Sequence, residues 1–115
     1  MSVYKGPTVT ISGSIVLKDY NKGFIDIKVL VKKLKMDRPW RGQFIIASEK
    51  IPKPGFYEIK IPKKIGNVYI VARNLDTEDT LSTPRSGELC IGEYAGNPLR
   101  VENQDISGVD IEIKP

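Results

Sequence analysis

The side chains best placed to do chemistry in this chain lie in "NLDTEDT", where Asn74, Asp76, Glu78 and Asp79 fall within six residues with nothing basic between them. Clustered carboxylates and amides are the usual supply for calcium, which takes about six to eight oxygens in a flexible cage. Asn74, Asp76 and Glu78 alternate as in the first half of an EF-hand loop. The sixth position is then Asp79, where glycine is needed, and the twelfth is Arg85, where a bidentate Glu is needed. The segment is not an EF-hand. A looser calcium site stays open, completed by main-chain carbonyls or by Glu88 and Glu93. The other reading is a solvated turn, because Asp and Asn side chains bond their own backbone. The expectation is a turn without a resident ion or other cofactor; if calcium binds, Asn74, Asp76, Glu78 and Asp79 are its ligands.

A second cluster is "KKLKMDRPWRG", with Lys32, Lys33, Lys35, Arg38 and Arg41 around Trp40. Cations interleaved with an aromatic can pair with phosphates and stack on bases. An exposed tryptophan can equally stack on a sugar ring while Arg38 and Arg41 bond hydroxyls. It can also fold back on the edge of the domain, with the lysines keeping that edge soluble. One tryptophan and a net charge of only +4 argue against a dedicated nucleic-acid binder. The ligand candidates are therefore Trp40, Arg38 and Arg41, for a protein or glycan partner.

Several chemistries are excluded outright. The chain has no histidine, so Ser-His-Asp and Cys-His catalysis and histidine metal ligation are absent. Cys90 is the single cysteine, which rules out an intrachain disulfide and a cysteine zinc site; between Leu89 and Ile91 it reads as an inert buried thiol. Carboxylate acid–base catalysis by Asp76, Glu78 and Asp79 is the one enzymatic alternative, and the expectation is that the protein is not an enzyme. No apolar run approaches the roughly 18 residues that span a bilayer, so no membrane insertion is expected. "MSVYKGPTV" lacks the apolar stretch of a signal peptide.

The net charge conceals an asymmetry. Residues 1–64 hold 14 Lys+Arg against 5 Asp+Glu, or +9, whereas residues 65–115 hold 4 against 9, or −5. Such polarity steers partners or pairs copies of opposite surface, so a weak homodimer through opposed charge or strand edges is expected.

The elements that must position these groups are strands. In "TVTISGSIVL", Val9, Ile11, Ile15 and Leu17 alternate with Thr8, Thr10, Ser12 and Ser14, the mark of a half-buried strand. Gly13 interrupts its apolar face, as at a bulge or a close backbone approach. "KDYNKG" is a turn in which Asn21 and Gly23 can take positive φ. "FIDIKVLVKKL" points Ile25, Ile27, Val29 and Val31 inward, with Asp26, Lys28 and Lys32 outward. "QFIIAS" is a short strand ended by Pro52 and Pro54, and "FYEIKI" alternates Tyr57, Ile59 and Ile61 with Glu58 and Lys60. "VYIVAR" is apolar on both faces and so central. "GELCIGEY" is a weak strand, "AGNP" and "ENQ" are turns, and "ISGVDIEI" closes the chain with Val109, Ile111 and Ile113 inward. No sustained 3.6-residue period with caps marks a helix. At 115 residues this is a single domain, 1–115, all-β, expected to fold as a seven-strand Greek-key sandwich of two sheets.

The order of features resembles the transthyretin-like (prealbumin-like) sandwich, particularly the carboxypeptidase regulatory-like domains. The matching stretches are "ISGSIV" at 11–16, "KGFIDIKV" at 22–29, "GFYEIKIP" at 55–62 and "VYIVAR" at 68–73, closed by "GEYAGNPLRV" and "ISGVDIEI". The basic insertion "KKLKMDRPWRG" is longer than a hairpin would be there. The enzymatic branch of that group, the hydroxyisourate hydrolases, relies on histidines and a C-terminal Tyr-Arg-Gly-Ser, and this chain has neither. The resemblance implies a non-catalytic accessory module of an extracytoplasmic or cell-surface protein, with adhesion or assembly as its work. A carbohydrate-binding module using Trp40 is the alternative.

Overall fold

Period-two patterning becomes strand throughout the computed structural model, which describes residues 6–33, 35, 44–75 and 90–113. Eight strands follow one another among these residues: β1 (Thr8–Leu17), β2 (Phe24–Leu30), β3 (Ile45–Ile51), β4 (Phe56–Pro62), β5 (Gly66–Leu75), β6 (Cys90–Glu93), β7 (Leu99–Val101) and β8 (Ile111–Ile113). None of the described residues is helical. One sheet runs β4-β1-β8 and the other β3-β2-β5-β6, with β7 also on β5. The two sheets face each other as an all-β sandwich.

The core lies between them, because the inward residues of each strand alternate as β-pleating requires. Val9, Ile11 and Ile15 of β1 meet Ile25, Ile27 and Val29 of β2, all at most 2% exposed. β5 is central as its two apolar faces imply, flanked by β2 on one side and by β6 and β7 on the other. Chain order and neighbour order differ: β1 pairs antiparallel with β4 and parallel with β8, while β2 lies between β3 and β5.

Three local expectations need correction. β7 pairs Leu99 with Val68 and Val101 with Gly66 between the two stretches read as turns. At three residues it is too short to show an alternation. Asp19, not Asn21, takes the positive φ of the first turn together with Gly23. The closing segment is strand only over β8. Upstream, a lone bridge joins Ile106 to Ile11, and two aspartates stand where ladder partners would. Asp105 Oδ1 accepts the Thr10 amide at 2.8 Å and Asp110 Oδ1 accepts the Ser14 amide at 2.9 Å. Between them Ser12 donates to the Ile106 carbonyl and receives Val109 N–H on its own. Side-chain carboxylates thus complete an edge that the backbone alone leaves broken.

The flanks of the sandwich differ. On one, β6 and β8 approach so closely that a Cβ on Gly92 would come 2.5 Å from the Glu112 carbonyl oxygen. That flank is shut. On the other, the terminal strands β3 and β4 are neighbours that line an open cleft.

Candidate functional site

The ligand candidates Trp40, Arg38 and Arg41, and the metal candidates Asp76, Glu78 and Asp79, lie outside the described residues. Asn74, the remaining metal candidate, is buried at the end of β5. Its Nδ2 donates to the carbonyls of Lys22 (3.0 Å) and Phe24 (3.1 Å), so its amide clasps the turn leading into β2. Gly23 at φ +90° permits this closure, since a Cβ there would collide with the Leu75 carbonyl. Among the described residues no three His, Cys, Asp or Glu side chains gather as a metal site. Of the lysines around Trp40, Lys32 sits 4.6 Å above the Phe44 ring, and Lys33 and Lys35 are exposed.

The described residues do bring together a polar constellation, two members of which, Asp26 and Lys28, alternation assigned to solvent. Asp26 and Lys28 of β2 and Arg73 of β5 project from the sheet face opposite the main core, yet all are at most 3% exposed. This second face is itself shielded, with Leu30 and Val71 forming a small apolar cluster beside the charges. Asp26 and Arg73 are register partners. The Arg73 Nε donates to Asp26 Oδ2 at 3.0 Å, and Lys28 Nζ lies 3.3 Å from the same oxygen. Lys28 also donates to Ser48 Oγ on β3 at 2.9 Å. The carboxylate joins β2 to β5, and Lys28 carries the network on to β3.

Burial pulls the Lys28 ammonium below its ordinary value of 10.5; Asp26 opposes this, and Arg73 and Lys50 add to it. A lysine so placed can serve as a nucleophile or base when substrate reaches it. Here the amine is sealed, its side chain 4% exposed. Its visible work is to hold register between β2 and β3.

Other polar groups serve the framework too. The Tyr57 hydroxyl donates to the Val109 carbonyl at 2.7 Å inside the core. Burial, then the nearby Asp110 and Tyr94, raise that phenol above its ordinary 10.0. Asn97, read as turn chemistry, uses its amide as a rung of the sheet: Oδ1 accepts Ile70 N–H and Nδ2 donates to Ile70 C=O, both at 3.0 Å. It bridges the interval along β5 between the β6 and β7 pairings. A sequence signal existed only for Arg73. A strand apolar on both faces that ends in Arg must lay that Arg somewhere without water.

The open flank carries the accessible surface. A cleft of about 880 Å³ lies between the β3 and β4 edges, with Ile45, Ile46 and Ala47 along one wall and Glu58, Ile59 and Lys60 along the other. Thr8 and Thr10 of β1 extend its floor. The walls mix aliphatic side chains with a few charges of both signs. This suits an extended or ring-shaped ligand lying along strand edges.

No protein-family model, curated protein or solved structure matches this chain. The site must be interpreted from its own geometry.

Proposed function

We propose that this chain is a non-catalytic accessory or interaction module on a transthyretin-like Greek-key sandwich, working in adhesion or assembly outside the cytoplasm. Support for the fold comes from the strand path. The first strand lies between the fourth and the last, and the second lies between the third and the fifth, with the chain passing repeatedly from sheet to sheet. Non-consecutive neighbours of this kind characterise Greek-key sandwiches. The extracytoplasmic placement follows from the resemblance of "ISGSIV", "GFYEIKIP" and "VYIVAR" to the carboxypeptidase regulatory-like domains.

The observation that carries the function is the open flank. Among the described residues, the outer edges of β3 and β4 have no strand partner and border one cleft there, while Asp26, Lys28, Arg73 and Asn74 are drawn inside and bonded to the framework. Such edges recognise partners by main-chain pairing, with adjacent side chains selecting among them.

Titration of isotope-labelled protein with soluble glycan fragments and with extended peptides tests this by amide shift mapping. Shifts concentrated on Ala47, Ser48, Glu58 and Lys60 are expected with at least one ligand class. Shifts confined to another face, or turnover of any compound in a panel of ester, amide and glycoside substrates, would overturn the reading.

A further inference from the structure

β4 ends its sheet, and its outer edge carries a self-complementary pattern. The backbone directions follow from β1. The amides of Thr10, Ser12 and Ser14 turn toward residues 105–110, and that of Ile15 turns the other way to the Gly55 carbonyl. Alternation then directs the backbone groups of Tyr57, Ile59 and Ile61 at β1, and those of Phe56, Glu58 and Lys60 out of the sheet. The side chains of Phe56, Glu58 and Lys60 are also exposed, Phe56 at 65% being the most exposed large apolar residue among those described.

We propose that β4 is a homodimerisation edge, pairing antiparallel with β4 of a second copy about a two-fold axis at Ile59. In this register Glu58 lies opposite Lys60 of the second copy and Lys60 opposite its Glu58. Both positions are hydrogen-bonded pairs, so each exchanges N–H and C=O as well as charge. Phe56 lies opposite Pro62, which covers the exposed ring. Pro62 has no N–H to offer, but at the strand end water replaces it.

The other two-fold registers fail. An axis at Glu58 sets Glu58 against itself, and one at Lys60 sets Lys60 against itself. An axis at Tyr57 puts Phe56 against Glu58 and leaves Lys60 opposite the turn at Pro54. β3, the rival edge, cannot do the same. Its Glu49 and Lys50 are consecutive, so they project to opposite faces and are never opposed in a two-fold pair. Joining two β4 strands makes one continuous six-stranded sheet, and a contact of one strand per copy is small enough to be reversible. The inference rests on the open flank as a binding surface and makes a second copy one of its occupants.

Sedimentation equilibrium of the wild type, Glu58→Lys, Lys60→Glu and the double exchange tests it. Both residues are exposed, so melting temperatures should stay close to wild type and certify the fold. The wild type is expected to show a reversible monomer–dimer equilibrium. Either single change opposes like charges twice and should weaken it by about tenfold or more. The double exchange restores the opposition of signs and should restore dimerisation. A wild type that stays monomeric at millimolar concentration would overturn the proposal, as would a dimer indifferent to Lys60→Glu. The ligand shift map is recorded on the wild type at concentrations where it is monomeric, with Ala47 and Ser48 of β3 as reporters away from the exchanged residues, so the two readings fail separately.

Discussion

Gly13 of β1 lies directly beneath the backbone of Val109, and a Cβ on it would collide with the Val109 carbonyl oxygen. That oxygen also accepts the Tyr57 hydroxyl, and Tyr57 is the register partner of Gly13 on β4. One missing side chain thus lets the closing segment lie against β1, while the ring beside it fills the space and satisfies the carbonyl. Gly92 does the same for β6 and β8 on the far flank.

Gly13→Ala should therefore cost about 3 kcal/mol or more, because backbone rather than a movable side chain stands in the way. Gly92→Ala should follow it. Thermal melts would show drops of roughly 4–8 °C for each kcal/mol in a domain of this size. A Gly13→Ala protein melting within a degree or two of wild type contradicts the close approach.

The buried trio should respond asymmetrically. Asp26→Ala removes the carboxylate shared by Lys28 and Arg73 and should cost about 3–5 kcal/mol. Lys28→Met leaves the Asp26–Arg73 bond in place and replaces a desolvated ammonium with an apolar chain. Its cost should be under about 1 kcal/mol, or the change should stabilise. Urea unfolding measures both, and equal losses would count against Asp26 as the shared anchor.

Alkaline pH should separate Tyr57 from Lys28. Lys28 is lowered in the folded state, so stability gained from its deprotonation accrues as pH rises from that depressed value toward 10.5. Tyr57 is raised, so above pH 10.0 the unfolded chain releases a proton that the native state retains, and stability falls. Tyr57→Phe should abolish that fall, at a neutral-pH cost of about 1–2 kcal/mol for the unpaired Val109 carbonyl. Lys28→Met should remove the preceding rise. Unfolding free energies measured from pH 7 to 11 decide it; a Tyr57→Phe curve parallel to wild type above pH 10 would refute the assignment.

Asn74 should behave as a framework residue. Asn74→Ala loses both bonds to the Lys22 and Phe24 carbonyls and should cost about 1–3 kcal/mol with or without calcium. Millimolar calcium against a chelator should leave the melting temperature of wild type within about a degree. A calcium-dependent rise that vanishes in Asp76→Asn would instead make 74–79 a metal site.

What the amino-acid order determined by itself was the strands and most of the core. Alternation is a property of one chain's own pleat, so Val9, Ile11 and Ile15, or Tyr57, Ile59 and Ile61, could be set inward without knowing any neighbour. Gly13 was likewise legible as a close approach, because a glycine on an apolar face leaves a gap that something must fill. Only the tertiary structure decided which strands are neighbours, and with that the fate of the polar residues. Asp26 and Lys28 read as solvent-facing because alternation distinguishes two faces but not whether the second is wet. Their burial depends on β3 and β5 lying on either side and supplying Ser48 and Arg73. Asn97 read as a turn residue and Asp110 as an outward strand residue, and with Asp105 they became rungs of the sheets because main-chain groups about thirty to a hundred positions away in sequence lacked partners. Local pattern records what a strand prefers; pairing across the fold sets which polar atoms must meet.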